Sequence, residues 1–442
     1  MFQNKKILIL GMARSGYEVA RLLAKHNNTL TITDVKDQNE DRVKELQKLG
    51  VTYVITDKAE DLVDDTYDYM IKNPGVRKDH PAVIKAKSLH IPVINELEVA
   101  YHFLPKNVTI VGITGSNGKT TTTTMLYEIL KKAKPHVYLA GNIGVPLSLT
   151  VQEMQENSFL VIEISDHQLL DMYDFKVDIA IMTNLSQVHL DFHGSYENYK
   201  KTKQKIFQNQ TEADYAILNQ ENQDVLEVSQ DTKAQKIYFS SKGKADSYLE
   251  NSYIIVKDQK VIDVRDIPLK GKHNYENIMC VLLALHQLDV DTKEAVTYLK
   301  TFAGVEHRNE FVKEVQKRKF YNDSKSTNTE STITALTSFV DPTILLLGGL
   351  DRGHSFEPLN PYLTHVKQIV CYGETKERIK EWAHIQQIPC ESTEKLAEAT
   401  QKAYALSREG DVIVLSPACA SWDQYDNFED RGNEFKQVVE DL

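Results

Sequence analysis

The run NVTIVGITGSNGKT at positions 107–120 constrains this chain more than any other stretch. An apolar, β-branched segment meets three glycines, and TTTTTMLYEILKK then carries apolar side chains at helical spacing. A strand that turns through glycines into a helix presents backbone N–H groups and the positive end of the helix dipole to an anion. Lys119 can reach β- and γ-phosphates and Thr120 can ligate Mg²⁺. The expected ATP loop is Gly115, Ser116, Asn117, Gly118, Lys119, Thr120 and Thr121. Its spacing is unusual. The pattern G-x-x-x-x-G-K-[ST] wants a glycine at 113, where Ile113 stands; Gly112 is one residue early and Gly115 lies inside the loop. The plainer alternative is a glycine turn capping a helix, but strand, glycines, Lys-Thr and helix together favour phosphate.

The same strand–helix alternation runs through the chain. KKILILGMARSGYEVARLLAKH and TLTITD read as strand, glycine turn, helix, strand; a further strand, YDYMIK, runs into Asn73-Pro74-Gly75. After the polar break Leu104–Asn107 the pattern restarts, with FLVIEIS, VDIAIMTNLS and DYAILN as strands. Segments between 237 and 269 (KIYFSS, SYIIV, QKVIDV) read as antiparallel ribbons. A helix is expected over Asn274–Gln287, and FVKEV, RKFYND, TILLLGG, QIVCYG and DVIVLSP supply a third set of strands. Alternating strands and helices imply parallel sheets. The expected fold is α/β in three consecutive domains. These are a Rossmann-like block over 1–104, a P-loop ATPase-like block with a small antiparallel part over 105–304, and a Rossmann-like block over 305–442.

Length and charge agree with this layout. The 442 residues suggest roughly three domains. With 52 Lys+Arg against 63 Asp+Glu, net charge −11, the chain has no general field for gathering nucleic acid. Cys280, Cys371, Cys390 and Cys419 form neither a C-x-x-C nor a metal spacing, which points to a reducing compartment. Neither a signal-peptide core nor an unbroken apolar run of about 18 residues is present, so no membrane partner is expected. A cytoplasmic protein, taken as a monomer, is the expectation.

The loop G-x-T-G-x-x-G-K-T resembles that of the Mur ligases and folylpolyglutamate synthases, ATP-dependent enzymes that join an amino acid to a carboxylate. Further motifs follow in family order: Gly141-Asn142-Ile143-Gly144-Val145-Pro146; VIEISDHQL with Glu163; TNLSQVHLDFHG with His189; GKHNYENIMC with His273, Asn274 and Asn277; VEHRNEF with Arg308. NDSKSTN then gives Asp323, Lys325 and Thr327, before the tail LSPACASWDQYDNFEDRGNEF. The resemblance covers nearly the whole chain. It implies metal-associated Glu163 and His189 beside Thr120, with Asn277, Arg308 and Asp323 on nucleotide. It also implies Thr327, Arg352, Ser421 and Phe428 around the amino acid, Lys325 near them, and Asn142 on substrate. The motif G-x-x-x-S-G (Gly11, Ser15, Gly16), the N-P-G loop and the S-P-A-C-A-S-W-D-Q tail resemble the branch that adds D-glutamate to UDP-N-acetylmuramoyl-L-alanine. Three positions depart from that pattern: Asp166-His167 stand where Ser-Phe is usual, Val188 where an acid is common, and Arg352 where a lysine is usual.

Gly11-x-Ala13-x-x-Gly16 with Asp34 after the next strand also resembles a dinucleotide fingerprint. An NAD-dependent dehydrogenase is therefore a rival reading, although Ala13 replaces the middle glycine and the Lys119 loop is left without a role. A non-catalytic ATP-binding switch is a third. The family instead implies that Ser15, Asp34 and Gly75, with Asn95–Leu97, hold the UDP end of the substrate. Finally, Tyr196, Tyr199, Lys203, Ile206 and Phe207 share one helical stripe, while Lys200, Lys201 and Lys205 are expected to face water. A desolvated lysine has more neutral amine available to CO₂. The family resemblance implies that Lys203 is carbamylated and acts at the metal site with Lys119, Glu163 and His189.

Overall fold

The computed structural model describes residues 1–188 and 190–442, the side chains of residues 190, 191, 330 and 334 excepted. His189, named above as a metal-associated residue, lies outside the described residues.

Five parallel strands form the first sheet, in the order Thr52–Ile55, Thr29–Asp34, Lys6–Leu10, Tyr69–Lys72 and Val93–Ile94. Ile7, Leu8 and Ile9 are all buried, as a parallel strand covered on both faces requires.

The second sheet has nine strands. Its centre is Thr109–Thr114, flanked by Phe159–Glu163 on one side and Ile179–Met182 on the other, all parallel. Crossovers thus leave this strand to opposite sides, and the crevice beyond its carboxyl end is where α/β sheets bind ligands. The phosphate loop starts there. At the far edge, Gln235–Ser240 does not join an antiparallel ribbon: it pairs parallel with Tyr215–Asn219 and with Ser247–Glu250. Antiparallel pairing is confined to Ser247–Glu250, Tyr253–Val256 and Gln259–Asp263. Short tight connections, Glu250–Tyr253 and Val256–Gln259, permit hairpins there, whereas the helix Gln223–Val228 carries the chain over to a parallel partner.

A third sheet, of six strands, is parallel except for the hairpin Glu310–Val315 with Arg318–Asn322.

The chain divides into two compact units, 1–302 and 303–442. Within the first, the polar break at 104–107 does not separate two cores. Leu22, Leu97 and Ala100 pack in one cluster with Leu147, Leu169 and Met172. Polar groups reinforce that seam. Asn95 caps helix Glu96–Tyr101 through its Oδ1 and donates its amide to the Gln168 carbonyl. The Glu98 carboxylate accepts the backbone N–H groups of Tyr173, Asp174 and Phe175 at 3.0, 2.6 and 3.2 Å. Lys72 and Asp171 form a buried ion pair at 2.9 Å. Asn95–Leu97, read from sequence as a ligand-facing strand end, is therefore buried in packing.

Candidate active site

The irregular glycine spacing has a structural cause. Gly112 belongs to the strand, where a Cβ would come within 2.6 Å of Val177 Cγ1; it serves sheet packing. Gly115 makes the turn: at φ +142° a Cβ there would overlap Thr183 Oγ1 and press on the Asn184 backbone. Gly118 caps the helix Lys119–Ala133 in the left-handed region, φ +82°, directly against the buried Asn277 side chain. Segment 183–186 fixes the loop. Ser116 N–H donates to the Asn184 carbonyl (2.8 Å), Asn117 N–H to Asn184 Oδ1 (3.0 Å), and Thr183 Oγ1 to the Asn117 carbonyl (2.6 Å). Lys119 Nζ folds over the loop and donates to the carbonyls of Gly115 and Ser116 at 2.9 and 2.8 Å. The result is a preformed concavity of N–H groups with a cation beside it.

Next to it lies a buried cluster of charge. Glu163 ends its strand at 2% exposure, and its Oε1 accepts a hydrogen bond from the Asn142 amide (2.9 Å). Its Oε2 is buried with no hydrogen-bond donor among the described residues. An orphaned carboxylate oxygen beside a phosphate loop suits a hard divalent cation, which takes oxygen ligands. Lys203 is completely buried; its Nζ donates to Thr114 Oγ1 at 2.9 Å and lies 3.7 Å from Asp166 Oδ1. Burial, helped by the charge of Lys119, lowers Lys203 to about 7 against the opposing pull of Asp166 and Glu163. The departure at 166 is thus part of the site. Asp166 Oδ2 meets His193 Nε2 at 2.7 Å and His167 Nδ1 at 3.2 Å. Tyr199 ties the Lys203 helix to the phosphate loop through a 2.8 Å contact with Ser116 Oγ. The sequence reading missed Thr114, Asp166 and His193 as members of this cluster; the H-L-D-F-H spacing was the available signal for His193.

Two lysines do not face water as expected. Lys200 is buried among Glu197, Asp224 and Glu227, and Lys205 is half-buried with its ammonium on the Leu170 carbonyl. Carboxylates on the following helix, Gln223–Val228, draw Lys200 inward. Lys201 is exposed as expected.

In the first sheet, the Gly11 turn is shaped by contact. Gly16 sits where a Cβ would overlap the Gly11 carbonyl, so the helix Arg14–Ala24 approaches closely. Asp34 binds its own loop: the carboxylate accepts N–H groups from Met12 (2.8 Å), Val35 (2.8 Å) and Lys36 (3.3 Å). Asn73 links Ser15 to Gly75, donating to Ser15 Oγ (3.3 Å) and accepting from Gly75 N–H (3.2 Å). Ser15, Asp34 and Gly75 therefore gather at one edge of the sheet.

In the second unit, Asp323 is buried; it accepts from Asn309 N–H (3.1 Å) and Ser416 Oγ (2.7 Å), and burial raises it to about 6. Arg308 lies near enough to oppose that rise. Lys325 Nζ is 5.7 Å from the Phe428 ring centroid, and Thr327 N–H donates to the Lys325 carbonyl at 3.0 Å. Ser421 is buried beside the loop carrying Arg352. Arg431, fully buried, was not foreseen. It donates to Ser324 Oγ and carbonyl (3.0 and 2.8 Å) and to the Cys419 carbonyl (3.0 Å), so one guanidinium orders both loops of this region. Only its place in the N-F-E-D-R-G tail hinted at that.

Three family models match in order: a MurD-like N-terminal domain of Mur ligases over residues 5–95, the Mur ligase middle domain over 113–285, and the Mur ligase glutamate ligase domain over 307–419. The UDP-N-acetylmuramoylalanine--D-glutamate ligase of Bacillus cereus (strain G9842) is 42% identical over 445 residues, covering 100% of this chain and 98% of that protein. Its namesake from Latilactobacillus sakei (strain 23K) is 42% identical over 448 residues with the same coverage. The chain belongs to the Mur ligase family. Mur ligases are ATP-dependent enzymes that form amide bonds and use Mg²⁺, so the dehydrogenase and switch readings fall away. Among solved structures, UDP-N-acetylmuramate-alanine ligase MurC from Thermotoga maritima superposes with a TM-score of 0.58 at 20% identity, covering 99% of both chains. MurF ligase from the same organism, in complex with ADP, gives 0.57 at 19% identity, covering 95% of this chain and 97% of that one. These likenesses establish the three-sheet α/β fold of the Mur ligases. Among the described residues no helix is long and apolar enough to cross a membrane.

Proposed function

We propose that this chain joins D-glutamate to the terminal carboxylate of UDP-N-acetylmuramoyl-L-alanine at the expense of ATP, as a cytoplasmic monomer in peptidoglycan precursor synthesis. The observation that carries this is the 42% identity along the full chain to ligases named for that reaction. Residues 1–104 hold the UDP end, with Ser15, Asp34 and Gly75 at the sheet edge. Residues 105–304 hold ATP and residues 305–442 the amino acid.

Amide formation from a carboxylate is uphill in water, so the carboxylate must be activated. Its oxygen attacks the γ-phosphorus of ATP, ADP leaves, and an acyl phosphate forms. The neutral amine of D-glutamate then attacks the acyl carbon, phosphate is expelled, and the nitrogen loses a proton. Positioning and charge neutralisation carry most of such catalysis. The N–H groups of Gly115 to Thr121 seat the phosphates, and Lys119 turns from its loop carbonyls to the γ-phosphate. Asn277 flanks the loop at Gly118, while Arg308 and Asp323 serve the nucleotide from the second unit. Asn142 orients Glu163. Thr120 and Glu163 fit Mg²⁺, with His189 and carbamylated Lys203 beside them, and the bound ion would neutralise phosphate charge. Thr327, Arg352, Ser421 and Phe428 receive D-glutamate, with Lys325 adjacent.

A coupled assay of phosphate release, with and without D-glutamate, tests the reaction. Release must depend on D-glutamate, and Lys119→Ala must keep less than about 1% of turnover, since losing a phosphate-neutralising cation costs several kcal/mol in the transition state. Carbamylation of Lys203 is supported by its burial beside Glu163 and is tested by intact-mass measurement in bicarbonate. A carbon dioxide adduct lost in Lys203→Ala together with most activity supports it; full activity in that variant rejects it.

A further inference from the structure

Trp422 stands 64% exposed, an expensive place for the largest apolar ring. The guanidinium carbon of Arg352 lies 4.6 Å from its ring centroid, within cation–π range.

The backbone on both sides of this pair is tied down. Leu350 N–H donates to the Ala420 carbonyl at 2.9 Å, so the two loops run as an antiparallel bridge. Asp351 N–H donates to the Glu374 carboxylate (3.2 Å), while the Asp351 carboxylate accepts from Gly353 N–H (2.8 Å) and pairs with Arg378. Arg378 also donates to the His354 carbonyl at 2.6 Å. On the other loop, the Ser421 carbonyl accepts from Gln424 and Tyr425 N–H at 3.1 and 2.9 Å, and the Asp423 carboxylate accepts from Glu374 N–H at 3.3 Å. Every flanking group is bound to the protein, while Arg352 and Trp422 project together into solvent. Arg352 itself is exposed and its neighbours, not it, take the acidic partners.

We propose that Trp422 is a positioning residue for the amino-acid substrate: its ring holds the Arg352 guanidinium so that the N–H fork meets a carboxylate of the incoming amino acid. This rests on the reading that Arg352 receives D-glutamate. Stacking uses the flat face of the guanidinium and leaves the in-plane donors free for a bidentate carboxylate. A long exposed arginine otherwise loses rotamer freedom when its ligand arrives; the indole orders it beforehand. It also gives Arg352 a reason to stand where a lysine would serve in related ligases, since an ammonium has no face to stack and no planar fork.

Steady-state kinetics of Trp422→Ala and Trp422→Phe in the full chain test the proposal, together with acrylamide quenching of tryptophan emission. Trp382 is buried and bonded to Asn360, so quenching reports mainly on Trp422. Removing an exposed cation–π contact should raise the KM for D-glutamate about two- to fivefold in Trp422→Ala, with kcat and the KM for ATP unchanged. Trp422→Phe should recover most of the loss. In an Arg352→Ala background Trp422→Ala should add nothing, and Arg352→Ala alone should make the emission easier to quench. An unchanged KM in Trp422→Ala, additive losses in the double variant, or unaltered quenching overturns the proposal. A wild-type chain that ligates some other amine and not D-glutamate overturns the functional reading as well, so the two failures are distinguishable.

Discussion

Replacing Lys72 with methionine should destabilise residues 1–302 by about 3–5 kcal/mol, because it strands a buried carboxylate. Lys72 is fully buried and Asp171 nearly so, their charged atoms 2.9 Å apart. The lysine also donates to the Val76 carbonyl at 2.8 Å, whereas Asp171 Oδ2 has no hydrogen-bond donor besides that ion pair among the described residues. Screening by solvent is therefore slight. For a unit of this size each kcal/mol moves Tm by about 2 °C, so the expected fall is about 6–10 °C. Asp171→Leu should cost a similar amount by stranding the ammonium. The double variant, carrying no buried charge, should return close to wild type, with a coupling energy of several kcal/mol. Differential scanning calorimetry of the four proteins measures the cycle. A fall under about 2 °C in either single variant, or a double variant that loses the sum of both, would refute the reasoning. Because Lys72 precedes the Asn73–Gly75 loop and Asp171 follows the helix Asp166–Leu169, the single variants should also raise the KM for the UDP-substrate.

Gly115→Ala should weaken ATP binding at least about tenfold, roughly 1.4 kcal/mol, since its Cβ would displace Thr183 and Asn184 from the loop they hold; calorimetric titration with ATP measures it, and unaltered affinity refutes it. Glu163→Gln keeps the bond from Asn142 but replaces a metal-binding oxygen, so the Mg²⁺ concentration giving half activity should rise about tenfold while Tm holds. Asp323 is raised to about 6 by burial, against about 3.9 in an unfolded chain, so the folded state prefers the protonated form. Stability is therefore lost as pH rises from about 4 to 6; Asp323→Asn should melt several degrees above wild type at pH 7–8, and that gap should close below pH 4.

The chain order alone settled that strand, glycine turn and helix recur, because periodicity and glycine placement are local properties written in adjacent residues. It also settled the phosphate loop, whose Lys-Thr chemistry needs neighbours in sequence and little else. Tertiary structure decided what depends on distant partners. Gly112 and Gly115 look alike in the sequence; Val177 and Thr183 assign one to packing and the other to the turn. Lys203 could be singled out by its helical stripe, but Lys200 beside it is buried too, through carboxylates more than 20 residues away. Asp166 read as a departure from pattern until folding set it between His193 and Lys203. Arg431 and Trp422 carry no local signal at all, since an arginine on a helix and a tryptophan in a loop acquire a role only from the loops packed against them. Local backbone preference acts over a few residues, whereas burial and charge pairing depend on which surfaces the fold brings together, and that is set by the whole chain.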